Sequence, residues 1–331
     1  MKYNKDNSLR QILEQPQMME YLRIFYSEYL LGFFEEQWMD MPLCEVEKVA
    51  VTPWDDPFST VVDQLLMAVE LILQLQEKGE KTAVSLWDAS YGEWNPEQVG
   101  FGKARKEDVF LIAPRYPVKG SGKPAVIICP GGGYEEVCFS GEGTPVMKRM
   151  EAAGYVAFIL RYRVAPAAYP APQEDLDRAV SYVRSNAARY GVESDNVMVM
   201  GFSAGGHLCG SMPIYSQTPP DKLCLCYPVI SLTDNAHEGS AENLSGGDNF
   251  IKEQWSLEKR VTDGYPKTFI WTLADDTCVP PDNTLRMMNA FLQAGICFEG
   301  HVYESGGHGC ALAEGKAADG WMDRMLEFMA E

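Results

Sequence analysis

The sequence is short of positive charge and of histidine, and it lacks any cysteine pair at metal-binding spacing. Lys and Arg number 28 against 47 Asp and Glu, a formal net charge of −19 over 331 residues. Such a chain repels phosphate backbones and anionic lipid headgroups, so neither nucleic acid nor a membrane surface is an expected partner. The nine cysteines are scattered and include no C-x-x-C pair. Neither a zinc site nor a disulfide framework is therefore expected, and reduced thiols suit a cytoplasmic location. Cys224 and Cys226 form C-x-C in an apolar run, which puts both on one side of a strand. No run of about 18 apolar residues occurs. The greasiest segment, YLRIFYSEYLLGFF (21–34), carries Arg23 and Glu28 and is not expected to span a membrane. The opening MKYNKDN is followed by no apolar h-region, so no secretory leader is expected.

What remains is ordinary globular material, 46% hydrophobic and 23% charged, enough for one large α/β domain or two smaller ones. Residues 1–80 read as helical. Tyr21, Leu22, Ile24, Phe25, Tyr29, Leu30, Phe33 and Phe34 recur near helical spacing. A second helix is signalled after Ser59 as N-cap, with Val62, Leu65, Leu66, Val69, Ile72 and Leu73 on its apolar face and Gly79 as its stop. The stretch VTPWDDPF between them is turn chemistry. From about residue 83 the pattern alternates. Expected strands lie at 108–114, 125–130, 155–163, 196–202, 223–230, 267–274 and 298–304, with helices at 142–154, 172–191 and 282–295. Several strands are apolar on both faces, as a parallel sheet covered by helices on both sides requires. The expected architecture is a doubly wound, mostly parallel α/β sheet at 81–331, with an added N-terminal helical segment at 1–80. Chemistry in such a sheet sits at the carboxyl ends of its strands.

At the end of one strand stands Gly201-Phe202-Ser203-Ala204-Gly205, a G-x-S-x-G between a strand and a helix. That is the context of a nucleophile elbow, whose tight turn tolerates only small neighbours. A serine hydroxyl needs a base, and the base an orienting carboxylate. The four histidines are His207, His237, His301 and His308. His207 falls inside the helix after the serine and reads as structure; His301 sits mid-strand, and His237 in a polar loop. His308, in the glycine-flanked ESGGHG after the last strand, is the expected base. The acid is expected after the strand FIWTLA, at Asp276, with Asp275 as the alternative. The order Ser…Asp…His is that of an α/β-hydrolase. Gly131-Gly132-Gly133-Tyr134 follows another strand. Its glycines permit close backbone approach, so the N–H groups of Gly132 or Gly133, with Ala204, are the expected oxyanion donors. The glycines match neither a dinucleotide fingerprint nor a P-loop. Pocket shape is assigned to Tyr134, the loop 233–255 and the N-terminal helices.

These stretches, together with RYRVAPAAYPAPQEDLDRAV (161–180), HEGSAENLSG (237–246) and SLEKRVTDGYPKTFIWTLADDTCVPPDN (256–283), resemble the α/β-hydrolase esterases of the acetyl-esterase and acetyl-xylan-esterase-like group, which includes BD-FAE-type feruloyl esterases. The resemblance spans about residues 108–330. It implies a serine triad of Ser203, His308 and Asp276 acting on short acyl esters, acetyl esters of carbohydrates among them, through an acyl-enzyme, with no metal or cofactor. Pro130 stands where hormone-sensitive-lipase relatives carry histidine, which favours the xylan-esterase-like branch. The long N-terminus departs from the group's core, and a lid, a homodimer arm or a packing addition are all open to it. A serine exopeptidase of the same fold and a feruloyl-type esterase stay open as alternatives.

Overall fold

Short apolar runs that alternate their side chains between two buried layers build the centre of the molecule. A computed structural model describes residues 2–52, 57–95, 102–115 and 122–330. The side chains of Glu28 and Tyr29 lie outside that description, as do residues 53–56 of the expected turn. Among the described residues eight strands form one sheet: β1 (Lys81–Ser85), β2 (Phe110–Pro114), β3 (Lys123–Cys129), β4 (Val156–Arg161), β5 (Val192–Phe202), β6 (Lys222–Cys226), β7 (Lys267–Leu273) and β8 (Phe298–Tyr303). Their spatial order is β1-β2-β4-β3-β5-β6-β7-β8. β2 runs antiparallel to both neighbours, and the six strands from β4 to β8 are parallel. This is the α/β-hydrolase fold, with the mostly parallel sheet expected from the alternating pattern.

Alternation within each strand sorts residues to two cores. Ile128, Met200, Phe202, Cys226 and Trp271 face one; Ile127, Cys129, Val199, Leu225 and Ile270 face the other. The first core is covered by the N-terminal helices, by Thr144–Ala152 and by Trp321–Ala330. The second is covered by Ala171–Ser185, Ala204–Tyr215 and Asp282–Ala294. Cys224 and Cys226 share one sheet face, both buried and free, with sulfurs 3.8 Å apart.

The N-terminal layer is held mainly by the apolar face of Phe58–Leu73, which buries Phe58, Val62, Leu65, Val69 and Ile72 among others. Each such burial contributes about 1.5–3 kcal/mol. Exposed pairs in the same layer, such as Arg10–Asp40 and Lys48–Glu45, contribute about 0–1 kcal/mol each, so burial decides how this layer docks. With the π-turn Gln74–Lys78 that continues it, this helix is long and apolar enough to cross a membrane by length and composition, but most of it is buried inside the protein.

Several sequence expectations shift. Ser59 is not the N-cap, because the helix already begins at Phe58 after Pro57. Gly79 does end the segment, at φ 60°. The run 21–34 is not one helix: Met18–Leu22 passes through a π-turn at Arg23–Ser27 into Glu28–Leu31. β1 had no expected counterpart, since KTAVS offers only two adjacent apolar residues. β6 ends at Cys226 rather than at residue 230, because Tyr227 takes φ 36° and Pro228 follows. The loop 233–255 contains two helices, Glu238–Ser245 and Asn249–Gln254.

Candidate active site

Strand order decides which loops can meet. β3 and β5 are neighbours with Cys129 opposite Gly201, so the glycine turn after β3 and the serine after β5 start at one height. β6 separates β5 from β7, and β8 lies beside β7. The serine, the carboxylates and His308 thus project from one edge of the parallel sheet.

Ser203 follows β5 directly and sits at φ 53°, ψ −119°, before the helix Ala204–Tyr215. The positive φ in a non-glycine residue is the strained turn of a nucleophile elbow. The positions two before and two after it must be glycine. A Cβ on Gly201 would lie 2.1 Å from the Gly205 carbonyl oxygen, and one on Gly205 would lie 2.1 Å from that of Cys129. Ser203 Oγ is 2.9 Å from His308 Nε2, and His308 Nδ1 is 2.6 Å from Asp276 Oδ2. The other Asp276 oxygen accepts the Cys278 and Val279 N–H groups, both at 2.9 Å. A carboxylate accepts only, so Nδ1 of His308 carries the hydrogen and Nε2 presents a lone pair to the serine hydroxyl. The carboxylate of Asp276 is fully buried and the imidazole slightly exposed.

Asp275 does different work. It is exposed and accepts the N–H groups of Gly306 and Gly307 at 3.0 Å. Those bonds, Gly307 first, hold its carboxyl below the usual carboxylate range. Asp275 therefore shapes the loop that carries His308, while Asp276 meets the ring.

The glycine turn after β3 lies against the serine. A Cβ on Gly132, which has φ 123°, would stand 2.3 Å from the Glu136 carbonyl oxygen. Among the described residues the N–H groups of Gly132, Gly133 and Ala204 find no acceptor, which leaves them available to a developing oxyanion. Tyr134 is a correction. Its side chain does not line a pocket but is fully buried, because its hydroxyl is drawn to His207 Nδ1 at 3.0 Å. His207 Nε2 lies 2.8 Å from the Trp255 carbonyl. A carbonyl only accepts, so Nε2 carries the hydrogen and Tyr134 donates to Nδ1. Burial lowers the His207 pKa to about 4, and the ring stays neutral inside its helix. His301 sits in β8 with Nε2 2.7 Å from Glu299.

Three groups here escaped the sequence reading. Glu142 is buried behind the serine, accepting from Gly131 N–H at 2.6 Å and from the Tyr227 hydroxyl at 2.7 Å. Burial pushes its carboxyl up, against the pull of those two donors. The Tyr227 oxygen also accepts from Ala311 N–H at 3.0 Å, and its ring lies 4.9 Å from that of His308. Glu142 and Tyr227 thus tie the glycine turn to the histidine loop. Glu142 was hidden because an acid at the start of an expected helix reads as a favourable dipole charge. The third group, His237, was expected in a polar loop but caps the helix Glu238–Ser245 beside Gly133. Its spacing to Ser240 and Asn243, one helical face, was the available signal. Among the described residues no group of three or more His, Cys, Asp or Glu could hold a metal ion.

Comparison with known proteins places this geometry. The BD-FAE family model matches residues 115–222. Endo-1,4-beta-xylanase B of Butyrivibrio fibrisolvens is 33% identical over 218 residues, 60% of this chain and 34% of that protein. Acetylxylan esterase of Xylanibacter ruminicola is 30% identical over 213 residues, 62% of this chain and 44% of that protein. The chain thus spans between a third and a half of the length of these curated relatives. The crystal structure of the acetyl ester-xyloside bifunctional hydrolase from Caldicellulosiruptor lactoaceticus superposes with a TM-score of 0.65 at 30% identity, covering 75% of this chain and 95% of that one. With near-complete coverage of that enzyme, the chain belongs to the BD-FAE-like group of α/β-hydrolase esterases.

Proposed function

We propose that this chain is a serine esterase that hydrolyses short acyl esters, foremost acetyl esters of carbohydrates, through an acyl-enzyme. The observation that carries the reading is the hydrogen-bond chain Ser203 Oγ–His308 Nε2 and His308 Nδ1–Asp276 Oδ2, at 2.9 and 2.6 Å. Ser203 Oγ attacks the ester carbonyl carbon as its proton passes to His308 Nε2. The imidazolium so formed is stabilised by Asp276. The carbonyl oxygen, now negative, takes hydrogen bonds from Gly132, Gly133 and Ala204 N–H, and the amino end of the helix Ala204–Tyr215 adds its dipole. The intermediate collapses, the C–O bond to the alcohol breaks, and His308 returns the proton to the leaving oxygen. Water then enters, gives a proton to His308 and attacks the acyl carbon, releasing the acid and restoring Ser203. The preference for acetyl and carbohydrate esters is supported by the names of the two similar enzymes, an acetylxylan esterase and an acetyl ester-xyloside hydrolase.

Replacing Ser203 by alanine tests the reading. Turnover of p-nitrophenyl acetate is expected to fall by about 10⁴–10⁶-fold, leaving only the contribution of the oxyanion donors and binding. Near-wild-type turnover in Ser203→Ala would sink the proposal. In a series of p-nitrophenyl esters of the wild type, kcat/KM is expected to be greatest for acetate. A maximum at octanoate would remove the short-acyl part.

A further inference from the structure

His237 is a second imidazole at the same site, and its capping role fixes its tautomer. Its Nδ1 accepts the Ser240 backbone N–H at 3.2 Å and lies 2.8 Å from Ser240 Oγ. A backbone N–H can only donate, so Nδ1 holds a lone pair and the ring hydrogen is on Nε2. Among the described residues nothing accepts from that Nε2–H. The ring is half-buried and lies against the glycine turn: Cε1, bonded to Nε2, is 3.6 Å from the point where a Cβ on Gly133 would stand. Asn243, six residues further along, donates to the Gly133 carbonyl at 2.9 Å. The segment that carries the ring is also tied to the helix that follows the Asp276 turn: Asn235 donates to Asp282 at 3.1 Å, and Asn283 donates to the Asn235 carbonyl at 3.0 Å. Burial, then His308, lower its pKa, so it stays a neutral donor at neutral pH.

The position between the glycine turn and the segment after β7 that holds Asp276 says which part of a substrate this donor meets. The leaving oxygen must lie near His308 Nε2, which returns a proton to it. A donor between the oxyanion turn and the segment that orients that base faces the alcohol half of the ester. We propose that His237 Nε2–H donates a hydrogen bond to an oxygen next to the scissile ester oxygen. The site would then favour esters of polyols, sugars among them, over esters whose alcohol carries no neighbouring acceptor. This rests on the serine-esterase reading above and adds its specificity residue.

The test compares kcat/KM for peracetylated methyl xyloside and for phenyl acetate. His237→Asn keeps a side-chain acceptor for the helix cap but is too short to carry a donor to the Nε2 position. His237→Gln restores the reach. The xyloside-to-phenyl-acetate ratio is expected to fall about tenfold in His237→Asn, the size of one lost hydrogen bond, and to recover in part in His237→Gln. A parallel loss on both substrates means that the ring only props the glycine turn and overturns the inference. So does an unchanged ratio, or a wild type that cleaves phenyl acetate and no acetylated xyloside. The ratio is independent of the serine reading, which fails separately if Ser203→Ala still cleaves phenyl acetate.

Discussion

His207 follows Ser203 by four residues and His308 meets its hydroxyl, and the two regions that hold them use the same ring in opposite ways. His207 lies in the helix that follows Ser203, fully buried, and accepts at Nδ1 from Tyr134. His308 lies in a glycine-flanked loop, slightly exposed, and donates from Nδ1 to Asp276. The partner of Nδ1 decides the rest. An acceptor Nδ1 forces the hydrogen onto Nε2, which His207 spends on the Trp255 carbonyl. A donor Nδ1 leaves Nε2 with a lone pair that meets the Ser203 hydroxyl. Proximity to Ser203 in sequence thus says nothing of which histidine can accept its proton; what stands at Nδ1 does. His237 follows the His207 pattern, an acceptor at Nδ1, but among the described residues its Nε2–H meets no carbonyl.

The strongest way to break the comparison is to remove the acceptor at Nδ1 of His308. Asp276→Asn can present its amide N–H to the ring, which favours the tautomer found in His207. A fall in kcat of about 10⁴-fold on p-nitrophenyl acetate is expected, equal to about 5.5 kcal/mol in the barrier. Asp275→Asn, at a side chain that accepts from the Gly306 and Gly307 N–H groups, is expected to cost about tenfold or less, by loosening the loop. Steady-state kinetics on the two variants check this. Equal losses would mean that the assignment of the two neighbouring carboxylates is mistaken.

The converse change is made at the buried ring. His207→Leu leaves the Tyr134 hydroxyl and the Trp255 carbonyl without partners in a dry interior. It is expected to lower stability by about 3 kcal/mol, read as a lower urea midpoint at unchanged m-value. Activity of the folded variant is expected to stay within about tenfold of wild type, since no reacting atom touches the ring. A loss as large as that of Asp276→Asn would place His207 in the chemistry after all.

These contrasts show what could be read from the chain. The alternating strands, the elbow and the Ser…Asp…His order were legible because each depends on local pattern: a period of two, small residues around a turn, polar residues just past an apolar run. The Asp276 choice was legible only as one of two, because neighbouring carboxylates in a turn differ by which way each side chain points. Tyr134 was misread for a related reason. Its place in the glycine turn is local, but its burial depends on a hydroxyl partner 73 residues away. Glu142 and Tyr227, separated by 85 residues, were not legible at all, since their pairing exists only once β3 and β6 occupy one sheet. β1 failed on local grounds, a strand of KTAVS whose Lys81 and Thr82 are buried by tertiary cover rather than by their own apolarity.

The smallest expected effect is also the most direct measure of how buried His207 is. Its pKa is lowered from 6.5 to about 4 by burial. Between those values the unfolded chain binds the proton and the folded protein does not, so stability falls as pH drops through this window and is fully present above it. The loss from this one ring between pH 7 and pH 4.5 is about 2 kcal/mol. His207→Leu carries no such ring, so its deficit against wild type, about 3 kcal/mol at pH 7, is expected to narrow to about 1 kcal/mol at pH 4.5. Glu142, raised by burial, acts in the opposite sense, because its folded form holds a proton that the unfolded chain has released. Glu142 is present in both proteins, as is His237, and their contributions cancel in the difference. Urea titrations of the two proteins across this range check the prediction. A gap that stays constant with pH would mean that His207 titrates alike in the folded and unfolded states, and that its neutrality is not imposed by the helix that holds it.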